Sequence, residues 1–268
     1  MLPYPDIDPT IFQLGPLQVR WYGLMYVLGF LASYTLVGFQ IRKYALAPLA
    51  RHFENLNLVL IISLVLGARL GYVLFYNLSF YLENPQDILA TWQGGMSFHG
   101  ALIGLLLGGF LYCRFTGLPF LQSADVYIVT TPIGLFLGRI GNFINGELYG
   151  RASDLPWAMI FPAGGPMPRH PSQLYEALLE GLVLFALLWS LKNRYWRQGW
   201  PSGSLLALFL VFYGLFRSLA ELFREPDAQV GFLLGSLTMG QLLSGLMIAA
   251  GVAILLLRRG KTEEARSV

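Results

Sequence analysis

The sequence is poor in charged residues and has almost no cysteine, and both shortages narrow what the protein can be. Charged residues make up 12% of the 268 positions, whereas hydrophobic residues make up 55%. This composition excludes an ordinary soluble enzyme of this size and is typical of a protein that crosses a membrane several times. The single cysteine, Cys113, excludes an internal disulfide. The histidines and acids lack zinc-ligand spacing, so no metal and no other cofactor is expected.

Lysine and arginine are also missing before Arg20, so the chain lacks the basic region that begins a signal peptide, and the first apolar segment is expected to be retained. The apolar segments predict an all-α polytopic membrane protein with seven transmembrane helices in a single integral membrane domain, residues 1–268. The predicted spans are residues 21–39, 56–76, 96–113, 126–143, 174–191, 205–223 and 237–257. The loops 77–95 and 145–173 predict an amphipathic interfacial arm and a small folded cap. Glycines four apart, such as Gly67/Gly71 and Gly100/Gly104, predict close helix contacts.

Basic residues are distributed unequally between the predicted loops. One alternate set of loops holds eleven of the 18 Lys and Arg residues: Arg42, Lys43, Arg51, Arg114, Lys192, Arg194, Arg197, Arg258, Arg259, Lys261 and Arg266. The other set holds only Arg20, Arg151, Arg169 and Arg224. The positive-inside rule therefore predicts an N-terminus outside and a C-terminus in the cytoplasm. The pI of about 9.0 follows from this topology and indicates no nucleic-acid binding.

Arginines inside the predicted spans are the most informative polar residues. Arg69, Arg139 and Arg217 lie within apolar segments, and Arg224 lies just past one. A guanidinium at the centre of a membrane helix costs about 2.5–3.5 kcal/mol, so such residues are normally paired or functional. The predicted orientation places all of them in the outer half of the membrane, with the polar residues Tyr22, His99, Asn142, Asn145, Glu147, Glu176, Glu180 and Glu221.

Helical spacing aligns these groups. Steps of three join Arg139, Asn142 and Asn145 on one face, and Arg217 and Glu221 are four apart on another. This layout predicts a site for an anionic molecule in the outer leaflet. An alternative stays open: Arg69, Arg139 and Arg217 could serve only as interhelical partners of Glu176, Glu180 and Glu221.

Four long sequence blocks closely resemble the bacterial phosphatidylglycerol–prolipoprotein diacylglyceryl transferases. They are GGMSFHGALIG (94–104), GRIGNFINGELYGR (138–151), RHPSQLYEALLEG (169–181) and YGLFRSLAELFREPDAQ (213–229). WYGLMY (21–26) and TMGQLLS (238–244) extend the resemblance over nearly the whole chain. One mild departure is Ala101, where a glycine is common in the family.

The resemblance implies a multi-pass enzyme of the bacterial inner membrane whose active site faces the periplasmic leaflet. Such an enzyme transfers the diacylglyceryl group of phosphatidylglycerol to the lipobox cysteine of a preprolipoprotein signal peptide, and glycerol phosphate leaves. The implied partners are these two substrates and membrane lipid, without nucleic acid, metal or cofactor.

The chemistry requires a base for the thiol and positive charge for the leaving phosphate. We predict that His99 is the base and that Arg139 and Arg217 clamp the phosphate. Tyr22, Asn142 and Asn145 are predicted to orient headgroup oxygens. The remaining predicted substrate-binding residues are Arg69, together with Glu147, Glu221 and Arg224, which hold the arginines or gate product exit.

Other function classes make different use of the same residues. A lipid or ion transporter could use a charged cavity in the outer half, but it should also place charges near the midplane. An intramembrane serine protease would need a Ser/His pair at depth, and Ser97 and His99 are only two apart at a membrane boundary. A protein with a purely structural role would leave the polar cluster without a function.

Overall fold

The structure, a computed structural model, describes residues 2–5, 7–15, 17–91, 94–225, 232–234 and 237–264. The chain forms two compact units, one of Met1–Val37 with Ala124–Val268 and the other of Gly38–Ser123. The helices are α1 (Trp21–Lys43), α2 (Ala47–Tyr76), α3 (Leu78–Glu83), α4 (Phe98–Thr116), α5 (Phe120–Ile128), α6 (Thr131–Ile144), α7 (Ser172–Glu176), α8 (Leu184–Gln198), α9 (Ser204–Ala220) and α10 (Met239–Glu264). The chain is therefore mostly helical, as predicted.

Two short antiparallel hairpins interrupt the helical pattern that the sequence predicts. Strands β1 (Thr10–Leu14) and β2 (Leu17–Arg20) pair directly before α1, and β3 (Phe232–Leu234) and β4 (Leu237–Thr238) pair directly before α10. Each hairpin leads the chain into a long apolar helix. The all-α prediction is thus correct for the bulk of the chain and missed these two hairpins.

Each of the seven predicted spans coincides with helix, but not every helix is long enough to count as a span by itself. In the part of the chain that the structure describes, five helical segments are long and apolar enough to cross a membrane. The pair α5 and α6, which bends by 45° at its break, makes a sixth if it is counted as one span. The bend precedes Pro132 in the first turn of α6, a position that proline tolerates because its missing amide has no helical partner there. Helix α9, of 17 residues, is apolar but shorter.

Glycines bring α2 and α4 of the second unit into close contact. A Cβ at Gly71 would lie 2.7 Å from the Cα of Gly100, and one at Gly67 would overlap the Gly100 carbonyl. A Cβ at Gly104 would lie 2.8 Å from the Cα of Gly67. Small residues four apart allow this approach, so the predicted packing role of these glycines is confirmed.

The first unit builds its core around α8 and α9. Leu184, Leu188 and Leu205 are fully or almost fully buried together there. Helix α9 also receives a cap from another helix, since the Asp125 carboxylate of α5 accepts hydrogen bonds from the Gly203 amide at 2.6 Å and the Leu206 amide at 2.8 Å. The negative carboxylate thereby satisfies otherwise unpaired amides at the helix N-terminus.

The loop between α6 and α7 is folded around a small aromatic core, and its role as a periplasmic cap stays a prediction. Phe161 is fully buried, and its ring packs on Tyr149 and Tyr4. Backbone bridges join Ala152 and Met159 to Arg169. We refer to residues 145–171 as the cap segment.

The predicted arm 77–95 contains α3 and a 3-10 turn at Pro85–Leu89. Leu82 and Leu89 leave 73% and 77% of their surface exposed, as an amphipathic interfacial segment requires. Trp92, which the sequence also places in this arm, lies outside the described residues. We refer to residues 77–95 as the arm.

Candidate active site

A network of ion pairs lies where α6, α7 and α9 of the first unit meet. The Glu176 carboxylate is almost completely buried, and its Oε2 atom lies 2.5 Å from Arg139 Nε and 3.2 Å from Arg217 Nη1. Its other oxygen lies 3.4 Å from Arg224 Nη1. One carboxylate thus contacts three guanidinium groups.

A second carboxylate supports the same pair of arginines. Glu180 is 0% exposed, and its oxygens lie 3.7 Å from Arg139 Nη2 and 3.5 Å from Arg217 Nη1. It lies in a π-helical stretch, Ala177–Val183, that continues from α7. Such stretches occur frequently at functional sites.

Close packing of α6 on this π-helical stretch explains why the groups meet. A Cβ at Gly181 would lie 2.6 Å from the Cβ of Phe136, so only glycine permits this approach. Phe136 and Arg139 are three residues apart and therefore lie on one face of α6. The face that packs on Gly181 consequently carries the Arg139 guanidinium to the carboxylates.

The third carboxylate of the network belongs to Glu221, which follows α9. It lies 3.2 Å from Arg217 Nη2, and it packs against the first turn of α10. A Cβ at Gly240 would overlap this carboxylate. Thr238 and Gln241 cap α10 reciprocally, because each accepts the backbone amide of the other at 3.2 Å. Glu221 therefore lies between a guanidinium and a helix N-terminus.

Three glutamates and three arginines balance the formal charge of the network. Arg139 and Arg217 do pair with Glu176 and Glu180, which belong to another helical segment, as the alternative requires. Both side chains keep some exposure, 18% and 13% respectively, although the Arg217 Nη1 atom is buried. Planar guanidiniums can bind phosphate oxygens in a bidentate manner, and a phosphate-binding role for this pair stays a prediction.

A row of amides extends from Arg139 to the beginning of the cap segment. Arg139 Nη1 donates to Asn142 Oδ1 at 3.5 Å, and Asn142 and Asn145 both donate to Glu147 Oε1, at 2.9 and 3.1 Å. The Tyr22 hydroxyl interacts with Asn142. The face predicted from steps of three is thus present, and Glu147 joins its two asparagines.

Tyr22 is placed by close packing of α1 on α6. A Cβ at Gly141 would lie 2.8 Å from the Tyr22 ring. The ring also stacks at a tilt on Tyr26, and the two hydroxyls are 3.1 Å apart. These tyrosines therefore add hydroxyl groups beside the amide row.

Arg69 and His99 belong to the second unit. The Arg69 guanidinium contacts backbone carbonyls of the arm, so the pairing with glutamate that the sequence left open does not hold for it among the described residues. His99 is in the first turn of α4, with its side chain exposed and its ring 5.8 Å from that of Phe98. The base role of His99 and the lipid-binding role of Arg69 stay predictions.

Glu176 and Glu180 are the residues that the sequence-based site prediction omitted. The sequence predicts no site role for them beyond pairing with arginines, and in the structure they connect Arg139 with Arg217. The available signal was their position, because two carboxylates four apart inside an apolar segment are costly unless paired. Among the described residues, no group of three His, Cys, Asp or Glu side chains is placed to hold a metal ion.

Comparison with known proteins extends this picture to the whole chain. The family model described as "Prolipoprotein diacylglyceryl transferase" matches residues 9–257. The chain belongs to this family. It is 60% identical over 252 residues to the phosphatidylglycerol–prolipoprotein diacylglyceryl transferase of Desulfotalea psychrophila, with 93% of each chain covered. The protein of that name from Geobacter sulfurreducens is 52% identical, with 96% of this chain and 98% of the relative covered.

Family membership agrees with the features of the site. The family is one of transferases, and the long apolar helices fit a bacterial membrane enzyme. The matched region 9–257 includes every residue of the ion-pair network and the amide row. The resemblance inferred from the sequence blocks is confirmed.

Proposed function

We propose that this protein transfers the sn-1,2-diacylglyceryl group of phosphatidylglycerol to the lipobox cysteine thiol of a preprolipoprotein, the first step of bacterial lipoprotein maturation. The names of its relatives specify both substrates. The observation that carries the proposal within the molecule is the pair of arginines, Arg139 and Arg217, that share the buried Glu176 carboxylate and whose side chains are not completely buried. This pair offers fixed positive charge for a phosphate.

The reaction exchanges one bond for another. The cysteine sulfur forms a C–S bond to the glycerol carbon that carries the phosphate, the C–O bond breaks, and glycerol phosphate leaves with the electron pair. The thiol proton goes to a base, for which we propose His99. Negative charge grows on the phosphate as the bond breaks, so Arg139 and Arg217 stabilise the transition state.

The neighbouring residues position the headgroup and the arginines. Tyr22, Asn142 and Asn145 orient headgroup oxygens, and Glu147 holds the two amides. Glu221 and Arg224 hold Arg217 and Glu176 in place. Thiols ordinarily have a pKa near 8.5, so an imidazole base should matter most at neutral pH.

The same proposal includes a topology. Seven segments cross the bacterial inner membrane within one membrane domain, with the N-terminus and the cap segment in the periplasm and the C-terminus in the cytoplasm. The unequal distribution of Lys and Arg supports this orientation. The active site then opens toward the periplasmic leaflet, where an exported signal peptide arrives.

Mass spectrometry tests the proposal directly. Purified protein is incubated with phosphatidylglycerol and a lipobox cysteine peptide, and a matched peptide with serine in place of cysteine is the control. The transferase predicts a diacylglyceryl mass gain on the cysteine peptide alone, together with released glycerol phosphate. A lipid or ion transporter would leave both peptides unmodified, and that result would refute the proposal.

A further inference from the structure

The Arg69 guanidinium is saturated by the backbone of the arm. Arg69 is 5% exposed. It donates to five carbonyl oxygens, through Nε to Ile88 at 2.7 Å, through Nη1 to Gly94 at 2.5 Å and Gly95 at 3.0 Å, and through Nη2 to Asp87 at 2.6 Å and Ala90 at 3.4 Å. A guanidinium has five N–H donors, so this set of carbonyls occupies the whole group. We call it the carbonyl cage.

Neighbouring side chains complete the carbonyl cage. The guanidinium lies over the Tyr81 ring, 5.1 Å from its centroid, which adds a cation–π contact. Gly95 has φ +76°, and a Cβ there would lie 2.6 Å from the Tyr72 ring and 2.9 Å from Arg69 Nη1. Only glycine therefore fits at this point of the cage, for both conformational and steric reasons.

The carbonyl cage is directly followed by the beginning of α4. The Ser97 amide donates to the Ala68 carbonyl at 2.9 Å, so the chain leaving the cage returns to the residue beside Arg69. The Ser97 hydroxyl then accepts the Gly100 amide at 3.2 Å as the N-cap of α4. His99 lies between these two anchoring residues, in the first turn.

We propose that Arg69 is a positioning residue. It fixes the arm to α2 and thereby sets where α4 begins and where the His99 side chain lies. Carbonyl dipoles stabilise its positive charge, and all five of its N–H donors are used, so none remains for a lipid phosphate. The inference rests on the proposed function for its kinetic consequence, but the cage itself can be tested without activity.

Hydrogen exchange measures the cage independently of catalysis. Arg69→Gln removes most of the donors, so amides of residues 87–97 should exchange at least about tenfold faster, because a buried hydrogen-bonded set is lost. The region of Arg139 should keep its protection. Unchanged exchange over 87–97 would overturn the positioning role, whether or not the protein is a transferase.

Steady-state kinetics separates positioning from lipid binding. Arg69→Gln should lower kcat by about 10- to 100-fold, the effect of misplacing a catalytic group by about 1 Å, with the KM for phosphatidylglycerol unchanged within about twofold. A strongly raised KM with kcat retained would instead make Arg69 a lipid ligand. If the wild-type protein forms no thioether product, the proposed function fails while the exchange result still decides the cage.

If the Arg69→Gln protein does not accumulate in the membrane, substitutions at a matched pair of glycines test the carbonyl cage instead. Gly94 and Gly95 both have positive φ, but only Gly95 is crowded, since a Cβ at Gly94 meets nothing within 4 Å. Gly95→Ala should reproduce the fast exchange and the loss of kcat, whereas Gly94→Ala should show only the smaller effect of the strained backbone. Equal effects of the two substitutions would contradict the cage.

Discussion

The two units neutralise an arginine inside an apolar helix by different means. In the first unit, Arg139 and Arg217 share buried carboxylates, and their side chains are 18% and 13% exposed. In the second unit, Arg69 is enclosed by backbone carbonyls. A charge paired with carboxylates can exchange partners with an incoming anion, whereas a charge inside a cage of dipoles holds a segment of chain. Under the proposed function, the same residue type therefore binds substrate in one unit and holds a segment of chain in the other.

Removing an arginine that is paired with carboxylates should have the largest effect on activity. Arg139→Ala is expected to lower thioether formation by at least about 10²–10³-fold, because a fixed donor to the transition state is lost. The assay is product mass spectrometry, normalised to the amount of protein in the membrane. Arg114→Ala, at the exposed end of α4, is the control and should retain activity.

Because Arg139→Ala also removes one of the guanidiniums that pair with Glu176 and Glu180, Arg139→Lys provides the stricter measurement. Lysine keeps the positive charge but lacks the planar guanidinium that can bind a phosphate through two N–H groups. A folded Arg139→Lys protein with near-normal turnover would show that charge alone suffices and would refute a bidentate clamp.

The buried pairs should differ from an exposed pair in stability. Glu180→Ala removes one of the two buried carboxylates that Arg139 and Arg217 share, and it should lower the free energy of unfolding by about 3–5 kcal/mol. The Arg169–Glu225 pair, at 3.1 Å with Glu225 47% exposed, should lose no more than about 1 kcal/mol in Glu225→Ala. Thermal unfolding in detergent measures both. Similar losses for the two variants would mean that the network does not stabilise the bundle.

Crowding at α10 provides a milder perturbation of the same network. Gly240→Ala should push the Glu221 carboxylate away from Arg217 and reduce turnover by about tenfold, the scale expected of a displaced supporting group. Gly245→Ala is the matched control, since a Cβ there meets nothing within 4 Å. The shorter side chain of Glu221→Asp should partly restore activity in the Gly240→Ala background. Failure of this rescue would argue against steric displacement of Glu221.

The smallest expected effect concerns His170 in the cap segment. This residue belongs neither to the ion-pair network nor to the carbonyl cage. Burial lowers the pKa of His170 below its ordinary value near 6.5, and its Nδ1 lies 3.1 Å from the Tyr175 hydroxyl. The unfolded chain therefore binds more protons, and stability should decline as the pH falls below about 6.5. His170→Gln should remove a small part of that decline in the thermal midpoint. An identical pH dependence in both proteins would contradict the prediction.

Periodicity was sufficient to predict the helical segments and the faces of single helices. Arg139, Asn142 and Asn145 lie on one face because steps of three repeat on a helix, and the close packing of Gly67/Gly71 and Gly100/Gly104 follows from small residues four apart within each helix. These features depend on residues near each other in sequence. The break before Pro132 was not predicted, since the apolar pattern predicts one span over residues 126–143.

Partners from distant segments could not be predicted in the same way. The sequence offers Glu176, Glu180 and Glu221 as partners for any intramembrane arginine, and nothing in the spacing assigns them. Arg69 shows the limit most clearly, because its partners are backbone carbonyls, which every residue possesses and no side-chain pattern reveals. The two short hairpins were missed because strands of two to five residues carry too little alternation to detect.

The Asp125 cap gives α9 a fixed origin. A helix is stiff, and its 17 residues extend for about 25 Å, so whatever holds Ser204 also sets the height and rotation of Arg217 farther along the rod. Adding one residue between them would advance the guanidinium by about 1.5 Å and swing it through about 100°. The position of the Arg217 guanidinium, which we propose to clamp the phosphate, is therefore partly set at the opposite end of the helix, by the Asp125 side chain.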